Sequence, residues 1–258
     1  MPLLHTHLFG PVDGPPVLAI HGVTGHGGRF RRWSATQTPH ARVIAPDLLG
    51  HGRSSWTAPW SIEAQVDALE DTLREHASGP AVVVGHSYGG RLAVHLANQA
   101  PDLVKALLLL DPAIGTDREQ LTESADWSVD HHSFADRDEA AAANKSDAWY
   151  ALPDEALEAE LDEHLVPLPD GRVAWRFSPA ALVTSWSELA RPWALPPDGL
   201  STTVVVADQI QPPYLSPAYE KELGELLGEH LSLLRVDVNH MVLEHRPDLV
   251  GELVRGLL

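Results

Sequence analysis

Residues Ala81–Gly90 read Ala-Val-Val-Val-Gly-His-Ser-Tyr-Gly-Gly, an apolar run that stops at a serine with a glycine two residues to either side. The run from Ala81 to Ser87 has the β-branched density of a buried strand. Gly89–Ala100 (Gly-Gly-Arg-Leu-Ala-Val-His-Leu-Ala-Asn-Gln-Ala) has the small and apolar spacing of a helix ended by Pro101. The pattern is therefore strand, Gly-x-Ser-x-Gly, helix. A serine on so sharp a corner is held in strained backbone geometry, and the start of the following helix favours negative charge developing beside it. Gly85 and Gly89 are expected to allow the close strand-helix approach that the corner imposes. Ser87 is the candidate nucleophile.

Similar apolar runs occur at Val17–His21, Arg42–Asp47, Ala106–Asp111, Ser201–Ala207 and Leu231–Val238. The first three are nearly continuous rather than alternating, as parallel strands covered on both faces require, and the last two resume the strand pattern. Ser61–Ala77 lies between two of them as an amphipathic helix, with Ser61 as its N-cap and Ile62, Val66, Leu69 and Leu73 on one stripe. Strand and helix alternate, which predicts an α/β fold with a doubly wound, mostly parallel sheet. The texture changes after Asp111. Between Asp117 and Glu163 there are 15 acidic residues against Arg118, Arg137 and Lys145, with helical stretches near Asp154–Leu165 and Pro179–Leu189. Residues 1–112 and 200–258 are read as the core and 113–199 as a helical insertion, its charge run a solvated face.

Two further motifs follow strands. His21-Gly22-Val23-Thr24-Gly25 comes directly after the first clear strand, and Asp47-Leu48-Leu49-Gly50-His51-Gly52-Arg53-Ser54 after the next. In acyl transfer, one oxyanion donor is the N–H of the residue after the nucleophile, here Tyr88, and another comes from an earlier loop, here Val23. The Asp47–Ser54 segment is read as structural. With HGxxG, DxxGxGxS and GxSxG in this order and spacing, the whole chain resembles the α/β-hydrolase superfamily. That resemblance implies a serine-histidine-acid triad, an oxyanion hole and a lid inserted after the sixth strand. It also implies that His240, in Val238-Asn239-His240-Met241, is the base.

The acid departs from the family's usual pattern. Most relatives carry it in a G-x-x-D type loop after the strand that follows the lid, where this chain reads Ala207-Asp208-Gln209-Ile210-Gln211. Two candidates remain, Asp111 at the end of the Leu107–Leu110 run and Asp208, with Asp111 preferred. Serine rather than aspartate at position 87 excludes the alkyl-ester chemistry of similar epoxide hydrolases and dehalogenases. The leading expectation is hydrolysis of a carboxylic ester or lactone through an acyl-enzyme. A C–C bond hydrolase with the same triad, or a ligand-binding protein with little turnover, are the alternatives.

Composition narrows the partners. The 258 residues hold 36 acidic and 18 basic side chains, a net charge of −18, which disfavours nucleic acid and anionic membrane surfaces. The absence of cysteine removes thiol chemistry. No run of about 18 apolar residues is present and the first residues do not read as a signal peptide, so a cytoplasmic protein acting on a small molecule is expected. Trp127, Trp149, Trp175 and Trp186 fall in the insertion, where packing is the expected role. His5 and His7 lie two apart on a strand and Asp130-His131-His132 in the insertion, but with 15 histidines in the chain no metal and no cofactor are expected.

Overall fold

The computed structural model describes residues 4–146 and 154–258, so Trp149 lies outside the described residues. The sheet is made of β1 (Thr6–Phe9), β2 (Pro16–Ile20), β3 (Arg42–Pro46), β4 (Ala81–His86), β5 (Val104–Leu110), β9 (Thr202–Ala207) and β10 (Leu231–Val236). Its order is β1-β3-β2-β4-β5-β9-β10. β1 pairs antiparallel with β3, and every other pairing is parallel. Alternate strand residues divide between two cores. Val17, Val43, Val82, Val84, Leu108 and Leu110 pack on one face, while Leu18, Ile44, Val83, Leu107 and Leu109 pack on the other. Burial on both faces explains why these strands read as continuous apolar runs.

Around the sheet lie α1 (Phe30–Gln37), α2 (Ile62–His76), α3 (Tyr88–Gln99), α8 (Pro217–Leu227), the short α9 (Val242–His245) and α10 (Pro247–Leu257). Ser61 caps α2 as expected, its side chain accepting the N–H of Ala64 at 3.3 Å. Between β5 and β9 the chain forms α4 (Arg118–Asp130), α5 (Arg137–Ser146), α6 (Asp154–His164) and α7 (Pro179–Leu189). The same segment holds β6 (Ser133–Phe134), β7 (Leu165–Pro167) and β8 (Val173–Trp175), which form a small antiparallel sheet in the order β6-β8-β7. Two corrections follow. The insertion leaves the fifth described strand in chain order rather than the sixth, because a single antiparallel strand precedes β2 on the N-terminal side. The insertion is also not wholly helical, since its strands of two or three residues are too short to leave a periodic signal.

The insertion is fastened to the core by polar contacts. Gly52 N–H donates to Arg176 C=O at 2.7 Å and Ser178 N–H to Gly50 C=O at 2.7 Å. The buried Arg91 guanidinium of α3 donates to the carbonyls of Arg191 and Pro192 at 2.9 and 2.8 Å. Each contact pairs a backbone carbonyl of a non-repetitive segment across the junction.

The corner from β4 to α3 is tightly packed. A Cβ on Gly89 would lie 2.3 Å from the carbonyl oxygen of Ile20, and one on Gly85 would lie 2.5 Å from that of Gly89. Both obstacles are backbone, which cannot rotate away. Gly89→Ala should therefore lower stability by about 1–3 kcal/mol through overpacking, read as a lower urea midpoint with the far-ultraviolet dichroism retained. An unchanged midpoint would mean that α3 can back away from β2.

Candidate active site

Ser87 follows β4 directly and takes φ 54° and ψ −118°, and Tyr88 is the first residue of α3. Among the described residues only Ser87 and Asp111 combine a side chain with positive φ. Such conformations cost of order 1–3 kcal/mol and persist where the surroundings over-determine them. Here Ser87 N–H donates to Leu110 C=O at 3.0 Å, and its own C=O accepts from Gly90 and Ala113 at 2.9 and 3.1 Å. Asp111 N–H is held on Val205 C=O at 2.7 Å. The serine corner and the aspartate corner are thus pinned to one another across the ends of β4, β5 and β9.

His240 Nδ1 lies 2.6 Å from Asp111 Oδ2, and Asp111 Oδ1 accepts the N–H of Ala207 at 3.1 Å. The carboxylate is 1% exposed. Nδ1 facing a carboxylate carries the ring proton, which leaves the lone pair on Nε2. Asp208 stands elsewhere. Its side chain is 47% exposed and lies 3.6 Å from Arg235 Nη1. The loop that in relatives holds the acid supplies Tyr214 instead, whose ring centre is 4.3 Å from that of His240. On the other side His86 lies 4.6 Å away, ring to ring, and its Nε2–H donates to the His240 carbonyl at 2.8 Å. The imidazole is held between two rings while its backbone is tied to the residue before Ser87.

Ser87 and His240 open into one cavity of about 470 Å³, with Gly22, Val23 and Thr24 on its wall. A ring of buried histidines sets the conformation of that wall. His21 Nδ1–H donates to Gly22 C=O at 2.7 Å, and its Nε2 accepts the N–H of Leu48 at 2.9 Å. Gly25 N–H also donates to Gly22 C=O, at 3.0 Å. In a trans peptide the N–H points opposite to the C=O. Fixing the Gly22 carbonyl therefore fixes the direction of Val23 N–H. His51 Nε2 bonds the Val23 carbonyl and so fixes the next peptide. Tyr88 N–H is one of the donors at a helix start that have no partner inside the helix. The Asp47–Ser54 loop, read from sequence as structural, supports the wall through Leu48 and His51.

The insertion supplies the opposite wall. Trp127, Trp175 and Trp186 all line the cavity, beyond the packing role preferred for them. Trp175 and Trp186 also belong to the buried core. His131 stacks on Trp127 with ring centres 4.6 Å apart. Glu160 corrects the reading of the acidic run as a solvated face. It is buried, with Arg29 Nη2 2.6 Å from Oε1, His26 Nε2 2.8 Å from Oε2 and His164 Nδ1 3.1 Å from Oε1. Burial alone would raise its pKa, but the Arg29 and His26 charges and hydrogen bonding hold it well below the usual carboxylate range. Nothing in the sequence separates Glu160 from its acidic neighbours.

The family model described as the alpha/beta hydrolase family matches residues 17–253. The chain belongs to the α/β-hydrolase family. Within that family, Lipase LipV of Mycobacterium tuberculosis (strain ATCC 25618 / H37Rv) is 46% identical over 255 residues, covering 99% of this chain and 97% of the relative. Among solved structures, E-2-(acetamidomethylene)succinate hydrolase superposes with a TM-score of 0.83 at 22% identity, over 98% of this chain and 94% of that one. A Mycobacterium tuberculosis esterase superposes with a TM-score of 0.72 at 23% identity, over 100% and 92%. At these identities the two structures speak for the fold. Among the described residues of this α/β hydrolase, no helix is long and apolar enough to cross a membrane.

The buried histidines make the site sensitive to acid. Burial lowers the pKa of His51, and lowers those of His21 and His86 well below the ordinary value. Burial takes His164 down to about 4. A histidine with a depressed folded pKa is neutral in the native state, so the unfolded chain binds the extra proton. Stability is then fully present above the unfolded value of about 6.5 and falls as the pH drops toward the folded one. Each such residue contributes a slope of up to about 1.4 kcal/mol per pH unit in that window. Urea midpoints should fall steeply between pH 7 and pH 5, and less steeply in His164→Gln. A flat profile would mean that these rings are solvated.

Proposed function

We propose that this α/β hydrolase cleaves carboxylic esters, lactones included, by nucleophilic catalysis. Ser87 attacks the carbonyl carbon, His240 accepts its proton, and Asp111 orients the ring and offsets the imidazolium charge. The single observation that carries this reading is that a strained serine corner and a histidine already bound to a buried carboxylate open into the same cavity. The Val23 and Tyr88 N–H groups hold the developing oxyanion. His240 then returns the proton to the leaving alkoxide and draws one from water, which hydrolyses the acyl-enzyme. His86 acts as a positioning residue, because its bond to the His240 carbonyl fixes where the base sits relative to the serine.

The segment between β5 and β9 serves as a lid in this reading, with residues 113–199 forming the cap over a core of 1–112 and 200–258. Its tryptophans offer an apolar surface to the acyl or alcohol group, and the cavity volume suits a small-molecule ester. The printed name of the 46% identical relative, a lipase, supports ester chemistry and adds no chain length. The net charge of −18 works against anionic substrates.

Ser87→Ala should lower kcat for p-nitrophenyl esters by on the order of 10⁴-fold or more, with the fold retained. The wild-type serine should also be labelled by a fluorophosphonate. Retention of a tenth of the activity, or labelling at another residue, would remove Ser87 from the mechanism.

Asp111→Asn should lower kcat by about 10³ to 10⁴-fold, because an amide can reverse the tautomer of His240. Asp208→Asn should stay within about tenfold, since its carboxylate faces Arg235 at the surface. The opposite ranking would return the acid to the loop after β9.

A further inference from the structure

Two groups of histidine and carboxylate side chains take no part in the chemistry proposed above. In the first, His26, Glu160 and His164 converge, but the Arg29 guanidinium already lies on the Glu160 carboxylate at 2.6 Å. A fixed positive charge in contact with the acidic ligand excludes a cation there. The second group is His5, His7 and Asp47, whose ligand atoms lie within 4.8 Å of one another.

We propose that His5, His7 and Asp47 form a binding site for a divalent transition metal ion of the zinc type. His7 lies in β1, and His5 is two residues before it along the extended chain, so their side chains leave on the same side. Their rings stand edge to face with centres 4.9 Å apart. The backbone of His5 is fixed from both directions, its N–H donating to Ser54 Oγ at 2.9 Å and its C=O accepting from Asp47 N–H at 2.8 Å. The two histidines are therefore presented to the carboxylate by backbone bonds that need no metal.

The distance between His7 and Asp47 carries the argument furthest. His7 Nε2 is 3.4 Å from Asp47 Oδ1, and the buried nitrogen makes no hydrogen bond. That separation exceeds the 2.7–3.2 Å of a protein N–H···O bond. Two ligands about 2.0–2.2 Å from one ion at a tetrahedral angle stand roughly 3.3–3.6 Å apart, which is the spacing found. The carboxylate is also oriented as a ligand would be. Its Oδ1 accepts Gly27 N–H and its Oδ2 accepts Arg53 N–H, each at 2.8 Å, and outer bonds of this kind fix metal ligands in place. His5 lies at the surface, so an ion can enter from solvent and water can complete its coordination.

Two imidazoles and one carboxylate favour zinc, copper, nickel or cobalt over magnesium or calcium, which prefer oxygen. The ion would join the edge strand β1 to the turn after β3. Its effect is on stability, because none of the three ligands lies in the wall of the Ser87 cavity. The inference stands apart from the ester-hydrolase reading and survives its failure.

The test is titration of the full chain, free of any histidine tag and stripped with chelator, by zinc chloride in a calorimeter and in thermal melts. One ion per chain and a raised melting midpoint are expected, with magnesium chloride giving neither. His5→Ala and His7→Gln should each weaken zinc binding by at least about tenfold. His5→Ala should melt like the metal-free wild type, and this exposed position decides the matter if His7→Gln does not fold. Absence of zinc binding, unchanged affinity in His5→Ala, or an equal response to magnesium would overturn the site.

Discussion

The arrangement of this hydrolase depends on one backbone constraint, the left-handed turn at Ser87 that joins β4 to α3. A strand in the middle of a parallel sheet ends pointing out of the layer, and the helix that follows must turn back at once to cover it. The chain manages this with φ 54° at Ser87 and with glycines at 85 and 89, where a Cβ would meet backbone oxygen at 2.5 and 2.3 Å. The strain is offset by three hydrogen bonds, from Leu110 at the end of β5, Ala113 just after it and Gly90 at the start of α3, which use the Ser87 amide and carbonyl fully. Ser87 is left in the wall of the cleft. Because Leu110 supplies one of those bonds, the end of β5 is fixed by the same contacts, and so is Asp111.

Placing the acid there changes what the loop after β9 can do. An aspartate immediately after β5 reaches His240 from beneath the sheet ends, with Oδ1 anchored on Ala207 N–H and Oδ2 on Nδ1. The loop after β9 no longer has to present a carboxylate. Its residues take other work, with Tyr214 against the His240 ring and Gln209 bonded to Asp237. His240 is then confined by His86, Tyr214 and Asp111, three elements far apart in sequence. An imidazole held on three sides has little freedom left to lose, which is what the reaction proposed above requires of a base.

Much of this was legible in the sequence, for a physical reason. Strands buried on both faces must be apolar throughout, so β2 to β5 and β9 stand out as runs, and a corner as tight as Ser87 admits few residue types. His240 was read through resemblance, and Asp111 as the preferred of two candidate acids. Their surroundings could not be read from sequence, with Asp111 beneath the imidazole and Asp208 beside Arg235. The contacts that sequence did not reveal are those between an insertion and its core. Glu160 sits in a helix whose other acids are solvated, and only the approach of Arg29 and His26 from another part of the chain distinguishes it. No sequence signal marks the contact of His86, whose partner is a carbonyl 154 residues away.

Several polar groups in and behind the walls of the cleft are histidines, and the placement of His21 follows from what a neutral imidazole can do. It donates through one nitrogen and accepts through the other, so it can join two backbone groups of opposite kind inside a dry interior. His21 does this between Gly22 C=O and Leu48 N–H, a pairing that neither a lysine ammonium, which has no acceptor, nor a glutamate carboxylate, which has no donor, could make. Protonation would turn the accepting nitrogen toward the Leu48 donor with a proton of its own and break the link. In the reaction proposed above the same neutrality is useful, because a cation beside His240 would oppose formation of its imidazolium, and burial holds the pKa of His86, whose tilted ring lies 4.6 Å from that of His240, well below the ordinary value. The wall that carries Gly22, Val23 and Thr24 and the ring beside His240 thus rest on one protonation state. Acid that removes it loosens the scaffold on both sides of the cavity.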